Sequence, residues 1–169
     1  MTDQAKRGRS TPTLVDRAFQ LAYVAAYRGM RLYWTLAHPT TNGALVMLWN
    51  GGEVLLVRNS YVPYYSLPGG YIRRGEAPEH AVVRELAEEV GVTANASDLA
   101  LEFDGTHEWE GKTDHVRIFS LDVPVRPEVQ VDHREVVEAL WWSPERALAL
   151  TLFPPLRTVL LERKKTQGS

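Results

Sequence analysis

The stretch from Gly70 to Val92, GYIRRGEAPEHAVVRELAEEVGV, constrains what this chain can fold into more than any other, because it fixes residue types at set spacings across one turn and one helix. At about 100° per residue, Glu85, Glu88 and Glu89 fall on one face of a helix. Val82, Val83, Leu86, Ala87 and Val90 fall on the opposite face. Pro78 suits a first helical turn and Gly91 a left-handed stop, so the helix is expected from about Pro78 to Val90.

Three carboxylates on one face need a counter-charge. Side chains three or four residues apart stand roughly 5–6 Å from each other. At an effective dielectric near 20, each partly desolvated like-charge pair repels by about 2–3 kcal/mol. A hard divalent cation answers this: Mg²⁺, with Mn²⁺ as a possible substitute, takes a few carboxylates and bridges to the phosphates of a substrate. An arbitrary acidic helix face is simply solvated surface. Here the spacing argues otherwise, since the string fits G-x5-E-x7-R-E-U-x-E-E-x-G-U, with U apolar, through Gly70, Glu76, Arg84, Glu85, Leu86, Glu88, Glu89, Gly91 and Val92. With common residues each used at about 5–7%, seven fixed identities arise by chance on the order of 10⁻⁸ times per starting point.

The pattern resembles the box of the Nudix hydrolases. Leu67–Gly70 (LPGG), the run Glu53–Arg58 and Trp142-Ser143-Pro144-Glu145 stand where such domains carry similar residues. The resemblance implies an α/β fold, a Nudix-type α/β/α sandwich with a mixed sheet, to which this chain adds an N-terminal helix. It implies hydrolysis of a diphosphate bond in a nucleoside diphosphate linked to another moiety, with one to three Mg²⁺ ions held by Glu85, Glu88, Glu89 and the Gly70 carbonyl. It further implies that Glu76 and Arg84 tie loop to helix, and that a later glutamate acts as base or extra metal ligand. Glu135 is the candidate and Glu138 the reserve. Tyr61, Tyr64 and Tyr65 cluster around Pro63 either as packing at a loop base or as a nucleobase platform, with Tyr65 the candidate contact. Arg58 is the candidate phosphate contact, although a strand-end arginine is more often a surface pairing partner. Subfamily signatures outside the box are missing: Glu108 stands where the ADP-ribose type has proline, and Trp109 where the dinucleoside-polyphosphate type has tyrosine. Nucleoside triphosphates, nucleotide sugars or a capped RNA end remain, with ADP-ribose disfavoured rather than ruled out.

The 169 residues suffice for one domain with a core, and the net charge of −2 gives no case for general nucleic-acid or membrane binding. The absence of cysteine rules out disulfides and thiolate metal sites, so a reducing cytoplasm is the expected setting. No signal peptide is expected, because Leu21–Tyr27 is a short apolar run flanked by Asp16, Arg17 and Gln20.

Residues 1–11 read as a disordered start, 12–40 as a helical extension, 41–163 as the Nudix-like domain and 164–169 as a frayed tail. On the extension, Arg17, Gln20, Arg28, Arg31 and Thr35 form a polar stripe, while Leu14, Ala18, Leu21, Ala25, Leu32 and Leu36 lie off it. That apolar surface wants cover from the domain's own flank, a second subunit or a membrane. Residues 1–40 carry six basic and two acidic residues, net +4, leaving 41–169 with 13 and 19, net −6. Docking on protein is therefore expected, as part of a homodimer.

Strands are expected at Ala44–Trp49, Glu53–Arg58, Leu99–Phe103, Thr106–Trp109 and His115–Val123. Glu108, Glu110, Lys112, Asp114 and His115 are expected around the loop between the last two, facing substrate or, as is commoner for single loop charges, solvated, with His115 hydrogen-bonding in core or loop. Helices are expected from Pro144 to about Leu150 and from Leu156 to Arg163. Two other functional classes compete. A non-catalytic Nudix-fold module that binds nucleotides or assembles with partners has no evident need for the whole acid triplet, and a prenyl-diphosphate isomerase would want a cysteine.

Overall fold

The computed structural model describes residues 12–167, so the expectation for residues 1–11 lies outside the described residues. Its elements are α1 (Leu14–Ala37), β1 (Thr40–Asn50), β2 (Glu53–Asn59), β3 (Gly69–Tyr71), α2 (Pro78–Val90), β4 (Ala100–Trp109), β5 (Lys112–Asp122), β6 (Val136–Trp142), α3 (Pro144–Ala147) and α4 (Pro154–Gln167). The sheet runs β4-β5-β1-β2-β6, with β3 also paired to β1. It is mixed: β1 lies parallel to β5, and the other pairings are antiparallel.

The central strand explains the layering. Ala44, Val46 and Leu48 of β1 enter a core with Val82, Leu86 and Val90 of α2. Leu45, Met47 and Trp49 enter another with Leu156, Val159 and Leu160 of α4. Alternate side chains of one strand thus feed both layers, which is why the run is apolar without a break. On α2 the buried stripe is Ala81, Val82, Leu86 and Val90, whereas Ala87 of the expected apolar face is exposed. α4 begins at Pro154, before the expected Leu156, and continues past Arg163, so Lys164–Gln167 are helical rather than a tail.

The two expected strands at Leu99–Phe103 and Thr106–Trp109 are one strand, β4. Asp104 and Gly105 stay paired with Arg117 and Val116, and an irregularity between Leu101 and Phe103 shifts the phase of the alternation. The following turn closes on Glu110 and Gly111, both at positive φ, so Lys112, Asp114 and His115 belong to β5 and not to a loop. Lys112 and Asp114 are only 5% and 6% exposed, not solvated as expected. They are affordable inside because they satisfy each other: Lys112 Nζ donates to Asp114 Oδ2 at 2.8 Å, and Thr41 Oγ1 donates to Asp114 Oδ1 at 2.7 Å. His115 hydrogen-bonds Asp104 across the β4–β5 pair.

α1 begins at a capping box between Thr13 and Asp16 and ends at left-handed His38 before Pro39. It docks on the body of its own chain, but through the face opposite to the one its apolar content suggested. Leu14, Leu21, Leu32 and Leu36 are 84, 71, 64 and 76% exposed, while Trp34 is buried and Gln20, Tyr23 and Tyr27 are partly covered. At one end Arg134 Nε donates to Asp16 Oδ1 at 3.2 Å and Gln20 Nε2 to the His133 carbonyl at 2.6 Å. Toward the other, Tyr27 OH donates to Glu110, and Lys112 Nζ stands 4.9 Å from the Trp34 ring centroid. No helix among the described residues is long and apolar enough to cross a membrane.

Candidate active site

β3 and α2 place the acidic residues. Gly69 has φ +138°, and a Cβ there would come within 2.3 Å of the Ala44 carbonyl oxygen, so only glycine lets β3 lie this close to β1. The Gly69 N–H then donates to Glu89 Oε2 at 2.8 Å. A Cβ on Gly70 would stand 2.7 Å from Glu85 Oε1, so the bare backbone at Gly70 is what makes room for that carboxylate. Arg84 holds loop and helix together: Nε and Nη2 donate to the two oxygens of Glu76 at 2.9 and 3.0 Å, and Nη2 also to the Tyr71 carbonyl at 3.2 Å. Those hydrogen bonds hold the Glu76 carboxyl at about 2, well below its usual value. Nη1 of Arg84 reaches Glu85, and Glu88 at 3.4 Å.

Glu89 and Glu135 face the same region from opposite sides. Burial, opposed in part by the Gly69 N–H and reinforced by the charges of Glu85 and Glu135, pushes Glu89 up to about 8. Burial also raises Glu135, whose Oε1 accepts from Tyr61 OH at 3.0 Å. Among the described residues no three acid or imidazole side chains converge on a single point, and Glu85 and Glu88 turn to Arg84. The donor set nevertheless suits a hard divalent cation: it is all oxygen, and the charge of Glu85 adds to the burial that raises Glu89 and Glu135.

This electrostatics carries a measurable consequence. The folded value of Glu89, about 8, exceeds its ordinary 4.5, so folding takes up a proton there. The stability this contributes is present below pH 4.5 and is lost as pH rises through about 8. In protein freed of divalent cations, Glu89→Gln is expected to melt increasingly above the wild type as pH rises across that window, by about 3–6 °C at its end, or roughly 1–2 kcal/mol. Melting profiles that ran parallel from pH 5 to 9 would refute the assignment.

The acids line a cleft of about 580 Å³ together with Tyr23, Tyr27 and Trp34 of α1 and Tyr61, Tyr64 and Trp109, and the two sets meet where Tyr61 OH donates to Glu135. Arg58 and Tyr65, the expected substrate contacts, are not in its lining. Arg58 stands opposite Glu138 in the β2–β6 ladder and pairs with it at 3.3 Å, and Tyr65 OH donates to the same carboxylate. Those contacts hold Arg58, Tyr65 and Glu138 together outside the lining of the cleft. Sequence reasoning missed Tyr23, Tyr27 and Trp34, whose i, i+4, i+11 spacing was a legible aromatic stripe on the polar side of α1.

The sequence model of the NUDIX domain matches residues 39–162. The chain belongs to the Nudix family. Over 115 residues it is 36% identical to the NAD-capped RNA hydrolase NudC of Pseudomonas aeruginosa, covering 66% of this chain but 37% of that protein. Over 58 residues it is 45% identical to a putative 8-oxo-dGTP diphosphatase of Bacillus subtilis, covering 34% of this chain and 39% of that one. The chain thus spans well under half the length of these relatives. The MutT protein of Methanosarcina mazei shares the fold at a TM-score of 0.68 and 24% identity, over 79% of this chain and 99% of the other. In this Nudix chain α1 lies before the matched residues.

Proposed function

We propose that this Nudix domain hydrolyses a diphosphate bond in a nucleoside diphosphate derivative, with Glu85, Glu88, Glu89 and the Gly70 carbonyl holding Mg²⁺ or Mn²⁺. The observation that carries the reading is that Glu85, Glu89 and Glu135 line one cleft, with Glu89 pushed up to about 8 chiefly by its burial. A bound divalent cation supplies neutralisation of phosphoryl charge and makes water a better nucleophile at neutral pH. The chain's own residues do the rest. Gly69 fixes one oxygen of Glu89, Arg84 sets the rotation of α2 against the box loop, and Glu135, held by Tyr61, accepts the proton of the attacking water. The relatives' names, a capped-RNA hydrolase, an 8-oxo-dGTP diphosphatase and an ADP-ribose pyrophosphatase, support a nucleotide substrate without choosing among nucleoside triphosphates, nucleotide sugars and capped ends.

The test is a phosphate-release screen of nucleoside triphosphates, nucleotide sugars and dinucleotides with Mg²⁺. Turnover of one class, abolished by chelation, is expected. Tight binding of a nucleotide with no turnover under any divalent cation would favour the non-catalytic module. A cytoplasmic setting and a homodimer belong to the same proposal, the exposed strip of Leu14, Leu21, Leu32 and Leu36 being the surface on which a second copy would pack.

A further inference from the structure

A helix that docked only for stability would bury its leucines. α1 does the reverse, leaving Leu14, Leu21, Leu32 and Leu36 in solvent and turning Tyr23, Tyr27 and Trp34 into the cleft. These rings do not pack on aliphatic core. Tyr23 stacks on Tyr61 with centroids 6.1 Å apart, Tyr27 lies 5.0 Å from Tyr61, and Trp34 meets Tyr27 edge-on at 5.9 Å. Two polar tethers of the helix meet at one acceptor of the chamber: Glu110 takes the Tyr27 hydroxyl on one oxygen and lies 3.6 Å from Arg31 on the other. A carboxylate has about four acceptor positions, so Glu110 retains capacity for N–H donors of a ligand.

We propose that α1 completes the nucleobase site of this domain: Tyr23, Tyr27 and Trp34 join Tyr61 and Tyr64 in one aromatic wall of the cleft, a planar base lies against that wall, and Glu110 accepts from the N–H edge of that base. The proposal rests on the reading that the diphosphate sits among the acidic residues of the same cleft, since one ligand then reaches both sets of side chains. An aromatic chamber with a fixed acceptor suits a purine bearing an amino or ring N–H group, which stacks and donates. An aliphatic chain would find the carboxylate a cost. The base site therefore depends on a helix that precedes the residues matched by the family model, which distinguishes this chain from a bare domain.

The experiment is calorimetric titration of the whole chain with Mg²⁺ and the α,β-methylene analogues of GDP and ADP, with methylenediphosphonate as the base-free control. Tyr23→Ala combined with Tyr27→Ala is expected to weaken the nucleotide analogues about 10- to 100-fold, the effect of losing base–ring stacking. Methylenediphosphonate should change by less than about twofold if stacking alone is lost. Glu110→Gln should weaken the GDP analogue, with its N–H pair, more than the base-free control. Melting curves establish that each variant is folded, and Tyr27→Phe, which keeps the ring, should retain most of the affinity. Equal weakening of all three ligands, or no weakening of any, would overturn the proposal. Because neither analogue is cleaved, the outcome is separable from the hydrolase reading. A wild type that binds the bases through α1 yet cleaves no diphosphate defeats that reading and leaves this one standing.

Discussion

Glu85→Gln is expected to lower turnover on the order of 10³-fold at saturating Mg²⁺, while the melting temperature stays near that of the wild type. The substitution keeps the shape of a side chain that is 17% exposed and removes only its charge. In the folded chain that charge is answered by Arg84 Nη1, and an amide oxygen can still accept from the same donor, so the fold has little to lose. Catalysis has more at stake. A neutral amide cannot share the positive charge of a divalent cation, and the Gly70 backbone is bare just where the Glu85 carboxylate comes closest. The comparison is kcat against Mg²⁺ concentration for both proteins. A variant that recovered wild-type kcat at high Mg²⁺ would show Glu85 to be dispensable for the chemistry, and the metal site would have to be sought elsewhere in the cleft.

Local spacing was enough to place much of this site. Glu85, Glu88 and Glu89 lie on one helix, where periodicity decides which side chains share a face, and the Arg84–Glu76 fork that the family resemblance implied is present. What depended on long-range pairing was harder to read. Arg58 and Tyr65 stand close in sequence to the tyrosine loop, yet the register of β2 against β6 sets Arg58 opposite Glu138 and takes both away from the cleft. Lys112 and Asp114 looked like loop charges because the strand break between β4 and β5 was placed too far along the chain. The actual turn at Glu110 and Gly111 is short enough to put them in the sheet. For α1, hydrophobic periodicity named the right helix and the wrong face. The surface beneath it is a half-polar cleft, to which tyrosine and tryptophan offer both a ring and a hydrogen-bonding tip, and leucine offers neither.

Arg84→Ala is expected to damage stability and rate together, and acid pH separates the two. Its guanidinium answers Glu76, Glu85 and the Tyr71 carbonyl at once, so its removal strands two carboxylates and frees the box loop from α2. Melting at neutral pH should fall by several degrees, and kcat by more than about tenfold, as Glu85 and Gly70 lose their fixed relation. The sign of the acid dependence follows from Glu76. Its folded value of about 2 lies below the ordinary 4.5, so the stability it lends is present above pH 4.5 and is lost as pH falls toward 2. The wild type should therefore surrender its advantage over Arg84→Ala across that interval, and the two melting temperatures should converge. A double-mutant cycle with Glu76→Gln isolates the pair: once Glu76 is neutral, the further cost of Arg84→Ala should shrink, with the remainder assigned to Glu85 and the Tyr71 carbonyl. If Arg84→Ala melted like the wild type from pH 3 to 8 and yet lost activity, Arg84 would touch the substrate instead of positioning the helix that carries the acids.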